Sequence, residues 1–237
     1  MKVGIMQPYF LPYLGYFSLI QSTDYFILLD EVQFIRHGWI ERNRILKEGS
    51  DWMYIKVPLK KENSKISIKQ TLINNDFEWE SKILAQLQHY KKRARYYFQV
   101  IEIIHNIFNK KYSSITELNC FALKQICNYL ELQTEIVVFS ELNLQIEKPL
   151  FPDEWALNIC KALPFKVQEY WNSEGGKVFF DPSKYVKENI KLAFIRWEET
   201  PYVQRNSIFE SGLSVIDVMM FNSPAEIRSM LDKISVS

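Results

Sequence analysis

The first thirty or so residues set the tightest limit on how this chain can fold. KVGIM (Lys2–Met6) is short, apolar and closed off by a proline two residues on, the pattern of a strand buried on both faces. Pro8 and Pro12 disfavour helical backbone in the residues before them, so no helix begins until about Tyr13. Leu14–Gln21 then reads as a helix with Leu14, Phe17, Leu19 and Ile20 on or near one face, and Thr23-Asp24 ends it. YFILLD (25–30) is a second buried strand. Strand, loop, helix and strand within about thirty residues is the size of a right-handed βαβ crossover. Neither strand alternates apolar with polar, as expected where helices cover both faces of a parallel sheet. The expected fold class is therefore α/β with a parallel-sheet core.

Beyond this unit, WMYIKVPL (52–59) reads as a third strand ended by Pro58, and ISIK (66–69) as a short fourth. Three helical patterns follow, at 77–90, 96–108 and 114–130. In the last, Ile115, Leu118, Ala122, Ile126 and Tyr129 recur at three- and four-residue spacing. TEIVVF (134–139) returns to strand. DEWALNICKAL (153–163) is helical with Asp153 at its N-cap, short strands are expected around 178–180 and 191–195, and 225–234 closes as a helix led by Pro224. Without repeats or a low-complexity linker, the chain reads as one α/β domain spanning residues 1–237, with a helical insert at approximately 76–130.

Composition narrows the function. A net charge of +1 over 237 residues provides no field that would favour nucleic acid or an anionic membrane, and KKRAR (91–95) sits on a helical pattern as a solvated face. Cys120, Cys127 and Cys160 show neither paired spacing nor histidine partners, and His37, His89 and His105 are scattered, so the sequence has no metal or flavin signature. No run approaches 18 apolar residues, and Gln7-Pro8 interrupts the N-terminal apolar stretch, so neither a membrane span nor a secretory signal is expected. A cytoplasmic location follows as the expectation.

Three clusters carry polar chemistry. QPYFLPYLGY (7–16) follows the first strand, at the carboxyl edge where α/β sheets bind ligands. There Gln7 offers an amide, Tyr13 and Tyr16 offer rings and hydroxyls, Gly15 allows close approach, and the helix start favours an anion. LDEVQFIRHGWIERNRI (29–45) places Asp30 at the end of the second strand. His37, Arg42, Asn43 and Arg44 follow on a loop or irregular segment, with Asp30 or His37 as candidate general base and Arg42 as an anion clamp. EYWNSEGGKVFFD (169–181) supplies Asn172, Gly175, Gly176 and Lys177 in a turn whose amides can cradle an anion. Further on, Asp217 in SVIDVMMF reads as a brace for the core.

The opening layout resembles nucleotidyltransferases of the histidine–x–glycine–histidine type, and the sheet core is accordingly expected to be nucleotidyltransferase-like or Rossmann-like. Tyr13 and Tyr16 stand where those enzymes have histidines. Taken together, QPYFLPYLGYF, LDEVQF with WIERNRI, YWNSEGGKVFFD, PYVQR and LSVIDVMMFNSPAEI resemble the WbqC-like protein family. One departure is Asn172-Ser173-Glu174-Gly175-Gly176, where the family often has proline after the asparagine. That resemblance implies a bacterial surface-polysaccharide (O-antigen or capsule) biosynthesis enzyme. It would be a transferase moving an acyl or aminoacyl group, such as glycyl, onto the amine of a nucleotide-linked amino sugar from an activated donor, free or carrier-bound. The positions matched to the family are Gln7, Tyr13, Tyr16, Asp30, Arg42, Asn43, Asn172, Gly175 and Gly176. Joined with His37, Gly15 and Lys177 from the clusters above, they give Asp30, His37 and Tyr16 as expected catalytic residues and Gln7, Tyr13, Gly15, Arg42, Asn43, Asn172, Gly175, Gly176 and Lys177 as expected substrate-binding residues. Two other readings stay open: ATP-dependent adenylyl transfer, and a non-catalytic glycan-pathway binding protein.

Overall fold

The opening crossover folds as its spacing requires. In a computed structural model describing residues 1–49, 51–61, 65–204 and 208–237, β1 (Lys2–Met6), α1 (Leu14–Gln21) and β2 (Tyr25–Leu28) form a parallel βαβ unit. Its register runs from Val3 opposite Tyr25 to Met6 opposite Leu28. β3 (Arg42–Leu46) and β4 (Trp52–Lys56) come next, then three helices, α2 (Trp79–Leu87), α3 (Tyr97–Phe108) and α4 (Ile115–Tyr129). The chain continues through β5 (Glu135–Val138), α5 (Glu154–Ala162), β6 (Glu169–Ser173), α6 (Pro182–Lys187) and β7 (Lys191–Trp197), and ends with α7 (Val215–Phe221), α8 (Pro224–Leu231) and β8 (Ile234–Val236).

Six strands make the main sheet in the order β5-β2-β1-β6-β7-β8, all parallel to their neighbours except β8, which runs antiparallel to β7. The chain builds outward from β1 through β2 and β5, then crosses back to build the other half through β6 and β7. This is a Rossmann-like arrangement whose order reverses between β1 and β6. Side chains alternate across the sheet as pleating demands. Val3, Ile5, Tyr25, Ile27 and Tyr170 pack against α5 and α6 on one face. Phe26, Leu28, Ile136, Val138, Trp171 and Ile195 face a larger core shared with α1, α3, α4, α7 and α8. The sheet is thus the middle of three layers.

Several local expectations are corrected. Residues 52–59 do not extend the main sheet: β4 pairs antiparallel with β3 in a separate two-stranded ribbon. Positive φ at Gly49 and Asp51 turns the chain between them. Arg42, Asn43 and Arg44 therefore lie on a strand and not on a loop. Its burial alternates, with Asn43 and Ile45 inward and both arginines part-exposed, a period-two pattern hidden by uniformly polar residues. Residues 66–69 form only an isolated bridge, Ser67 opposite Gln33. Residues 174–179, including Gly175, Gly176 and Lys177, form a 3₁₀ segment after β6, so the strand precedes the glycines. Asp153 sits at the N-cap of α5 without capping it, and its carboxylate pairs with Lys184 at 3.1 Å. Among the described residues, no helix is long and apolar enough to cross a membrane.

Candidate functional site

The crevice at the strand-order reversal is built by the strands themselves. β1 stays paired with β2 up to Met6 and Leu28, yet its ladder with β6 stops at Gly4 opposite Trp171. Both strands run two residues further, so they part at their carboxyl ends, where parallel α/β sheets bind ligands. Gln7 stands half-buried at this fork, and its side-chain amide has no hydrogen-bond partner among the described residues.

The loop after β1 is rigid because its carbonyls are anchored inward. Tyr16 Oη donates to Gln7 O (2.8 Å) and Asn119 Nδ2 to Pro8 O (2.8 Å). Asn43 Nδ2 donates to both Phe10 O (3.1 Å) and Leu11 O (2.9 Å). Ser214 Oγ reaches Leu11 O (2.7 Å), and Val215 N reaches Pro12 O (2.8 Å). Tyr16 and Asn43 are buried, so they shape the loop from beneath. The start of α1 is engaged with the segment before α7 through a bridge between Tyr13 and Ser214. Gly15 is required by its neighbours: an added Cβ would lie 2.4 Å from the Tyr13 ring and 2.9 Å from Trp197.

On the other side of the fork, Asn172 is internally satisfied. Its Nδ2 donates to Tyr170 Oη, and its Oδ1 accepts from Ser173 N at 2.7 Å. A Cβ on Gly176 would come 2.9 Å from that Oδ1, so this glycine lets the chain pass over Asn172, while a Cβ on Gly175 would meet nothing. Lys177 Nζ donates to Ser237 Oγ at 3.2 Å. Asp30 lies two residues past the end of β2, the strand paired with β1. It is only 1% exposed and accepts from Ser140 Oγ (2.8 Å) and Ser140 N (3.1 Å). Burial pushes its carboxyl above the usual carboxylate range, and the Ser140 bonds draw it partway back.

The structure separates His37 from this crevice and sets it at the lip of a second hollow, a cleft of about 810 Å³ between residues 33–41, the end of β4 and the start of α2. His37 has φ 62°, a left-handed conformation that a non-glycine residue adopts at a cost of about 1–2 kcal/mol. Three contacts hold it there. Its N–H donates to Glu41 Oε1 (2.8 Å), its carbonyl accepts from Arg42 Nη2, and its Nδ1 lies 3.7 Å from Glu41 Oε1. Glu41 is buried, while the His37 side chain is 70% exposed. Arg42 is itself fixed with its guanidinium 4.1 Å above the Tyr54 ring. An exposed imidazole with a carboxylate beside one nitrogen and the other nitrogen open can accept a proton from a bound substrate.

Sequence reasoning missed Asn119, Ser140, Glu41 and Ser214. Asn119 had a signal: it falls four residues after Ile115, on the apolar stripe of α4, where a polar side chain needs a buried partner. Ser140 and Ser214 had none, since their partners lie far away in sequence. Asp217 is fully buried and accepts from Tyr90 Oη, Tyr202 Oη (2.5 Å) and Gln204 Nε2 (3.4 Å), bracing α7 against the helical layer.

No solved structure matches the chain at a significant level. Among curated proteins, the uncharacterized protein Rv1507c of Mycobacterium tuberculosis is 26% identical over 228 residues, covering 95% of each chain. The profile of one family spans residues 7–229, from the amide at the fork to the last turn of α8, and with it the chain belongs to the WbqC-like protein family.

Proposed function

We propose that this protein is a glycan-pathway transferase that moves an acyl or aminoacyl group onto the amine of a nucleotide-linked amino sugar. Membership of the WbqC-like family points to a glycan pathway. The observation that carries the reaction is His37, a strained, exposed imidazole fixed at the lip of a cleft by Glu41 and Arg42. Backbone strain held by surrounding contacts gathers where function needs a side chain aimed, and a base must reach its substrate. His37 meets that condition better than Asp30, whose oxygens are buried against Ser140.

In this reading the amine nitrogen attacks the donor's carbonyl carbon and forms the new C–N bond. His37 takes the proton that the nitrogen sheds. The tetrahedral intermediate then collapses, and the donor's leaving group departs with its bond pair and receives that proton. Glu41 orients the imidazole, Arg42 holds the His37 backbone, and Asp30 positions the end of β2. Gln7 takes no part in this step at His37; in the separate crevice at the fork it is an open amide for a polar ligand, with Asn172 and Gly176 shaping the opposite wall.

Incubating the protein with nucleotide-linked amino sugars and a panel of acyl and aminoacyl donors, followed by mass spectrometry, tests this directly. The expected result is one amide product that disappears in a folded His37→Asn variant. Absence of any amide across a broad panel, or full activity in that variant, defeats the reading.

A further inference from the structure

The cleft beside His37 carries far more charge than the chain as a whole. Among the described residues, Arg36, Lys56, Lys60, Lys61 and Lys82 line it against two carboxylates, Glu41 and Glu78, in a protein whose net charge is +1. Lys56 lies 3.7 Å from Glu41. Among the described residues, Lys60, Lys61 and Lys82 have no carboxylate within 4.0 Å. Three ammonium groups around one concavity, none paired with a carboxylate of the described residues, repel one another and draw in a ligand with several negative charges, which a single carboxylate does not supply.

The rest of the lining is apolar. Phe34 and Trp79 are buried in the floor, while Ile35 and Phe77 stand 66% and 61% exposed at the rim. A bare inorganic anion would leave those surfaces wet. A planar, partly apolar group joined to two phosphates would cover them and neutralise the lysines at once. The volume of about 810 Å³ is in the range of cofactor-sized sites.

We infer that this cleft binds a nucleoside diphosphate moiety, with its phosphates toward Lys60 and Lys82 and its base against Phe77 and Ile35. The inference deepens the transferase reading and rests on it for the ligand's purpose, because the group attached to the diphosphate would then extend toward His37. Two sources carry the same chemistry: a nucleotide-linked sugar, and a coenzyme A thioester.

Calorimetric titration of the full chain with UDP, ADP, GDP, coenzyme A and pyrophosphate tests the inference without requiring catalysis. At least one nucleotide is expected to bind about tenfold or more tightly than pyrophosphate, and binding should weaken with added salt. Lys60→Gln with Lys82→Gln should weaken it by at least about tenfold, while Lys91→Gln with Lys92→Gln, on the 3₁₀ turn after α2, should not change it. Thermal melts confirm that both variants fold. Binding of a free nucleoside diphosphate but not coenzyme A assigns the site to the sugar nucleotide, and coenzyme A competing with ADP assigns it to the donor. Either result supports the inference. No nucleotide binding at millimolar concentration overturns it, as does equal binding by pyrophosphate or unchanged affinity in the Lys60/Lys82 variant. Nucleotide binding with no amide product would leave this site standing and remove the acyl-transfer reading alone.

Discussion

Asn119 offers the sharpest test of how the fold holds its site. The residue is fully buried in α4, and its Nδ2 donates to Pro8 O at 2.8 Å and to Ile40 O at 2.9 Å. One amide thus ties together the loop after β1 and the chain that leads out of His37. Asn119→Ala strips the partner from two buried carbonyls. A buried acceptor left unsatisfied costs about 1–3 kcal/mol, and the small void adds to this, so a loss of about 2–4 kcal/mol is expected. Asn119 Oδ1 has no partner to lose, which keeps the accounting to the two donated bonds. Asn119→Asp should cost more than alanine, because a carboxylate cannot donate and would face two carbonyl oxygens. Urea titration followed by circular dichroism measures both variants, with slopes matching wild type if the denatured state is unchanged. Native-state hydrogen exchange adds a local readout: the Phe10 amide, bonded to Trp39 O at 2.8 Å, should exchange faster, while the Phe26 amide in β2 should lose protection only to the extent of the global change. A cost below about 0.5 kcal/mol for alanine, or an aspartate variant as stable as wild type, would refute the anchoring argument.

Other perturbations separate stability from chemistry. Burial lifts the Asp217 carboxyl to about 6, against about 3.9 when unfolded, so the native state holds this proton to a higher pH than the unfolded chain does. Its stabilisation is complete below about pH 4 and is lost as pH rises through 6, a fall of about 3 kcal/mol from this group that Asp217→Asn should flatten in melts at stepped pH. Gly15→Ala should gain up to about 1 kcal/mol of helix propensity but force Tyr13 and Trp197 apart, for a net loss of about 1–2 kcal/mol read from the melting temperature. His37→Gly removes the left-handed strain at φ 62° while keeping the backbone bond to Glu41, so stability should hold or rise by up to about 1 kcal/mol while the proposed amide formation is lost. A destabilised glycine variant would show that His37 packs and does not merely point.

What the sequence made legible was local. Two prolines, a helical stripe and two unbroken apolar runs sufficed for the opening crossover, because each signal acts within a few residues. The apolar stripe of α4 was equally plain. The ribbon of β3 and β4 was not, since Arg-Asn-Arg gives no apolar alternation even though its burial alternates. β6 was hidden for another reason: it is a central strand reading Glu-Tyr-Trp-Asn-Ser, with polar ends, and the glycines after it suggested a turn before a later strand. Strand order lies beyond any local pattern, because β1 opens its fork against a strand more than 160 residues away. The candidate site divides the same way. His37, Asp30 and Gln7 were identifiable by residue type and position, but the left-handed turn at His37 and the cleft beside it depend on Glu41, Arg42 and α2 closing around that segment.

The same division explains why three consecutive polar residues occupy β3. A strand sends alternate side chains to opposite sides, so Arg-Asn-Arg can serve different neighbours without competing. Arg42, outward, stacks on Tyr54 and holds the His37 carbonyl at the cleft. Asn43, inward, takes the carbonyls of Phe10 and Leu11 and so fixes the loop at the fork. Arg44, outward again, lies over Trp52 and donates to Gly212 O at 3.0 Å, while its own carbonyl accepts from Ser214 N at 2.8 Å. Ser214 returns to the loop through Leu11 O. The loop at the crevice, the lip of the cleft and the segment before α7 therefore share one short strand as their common support. That strand lies outside the main sheet and pairs with β4, whose end lines the cleft.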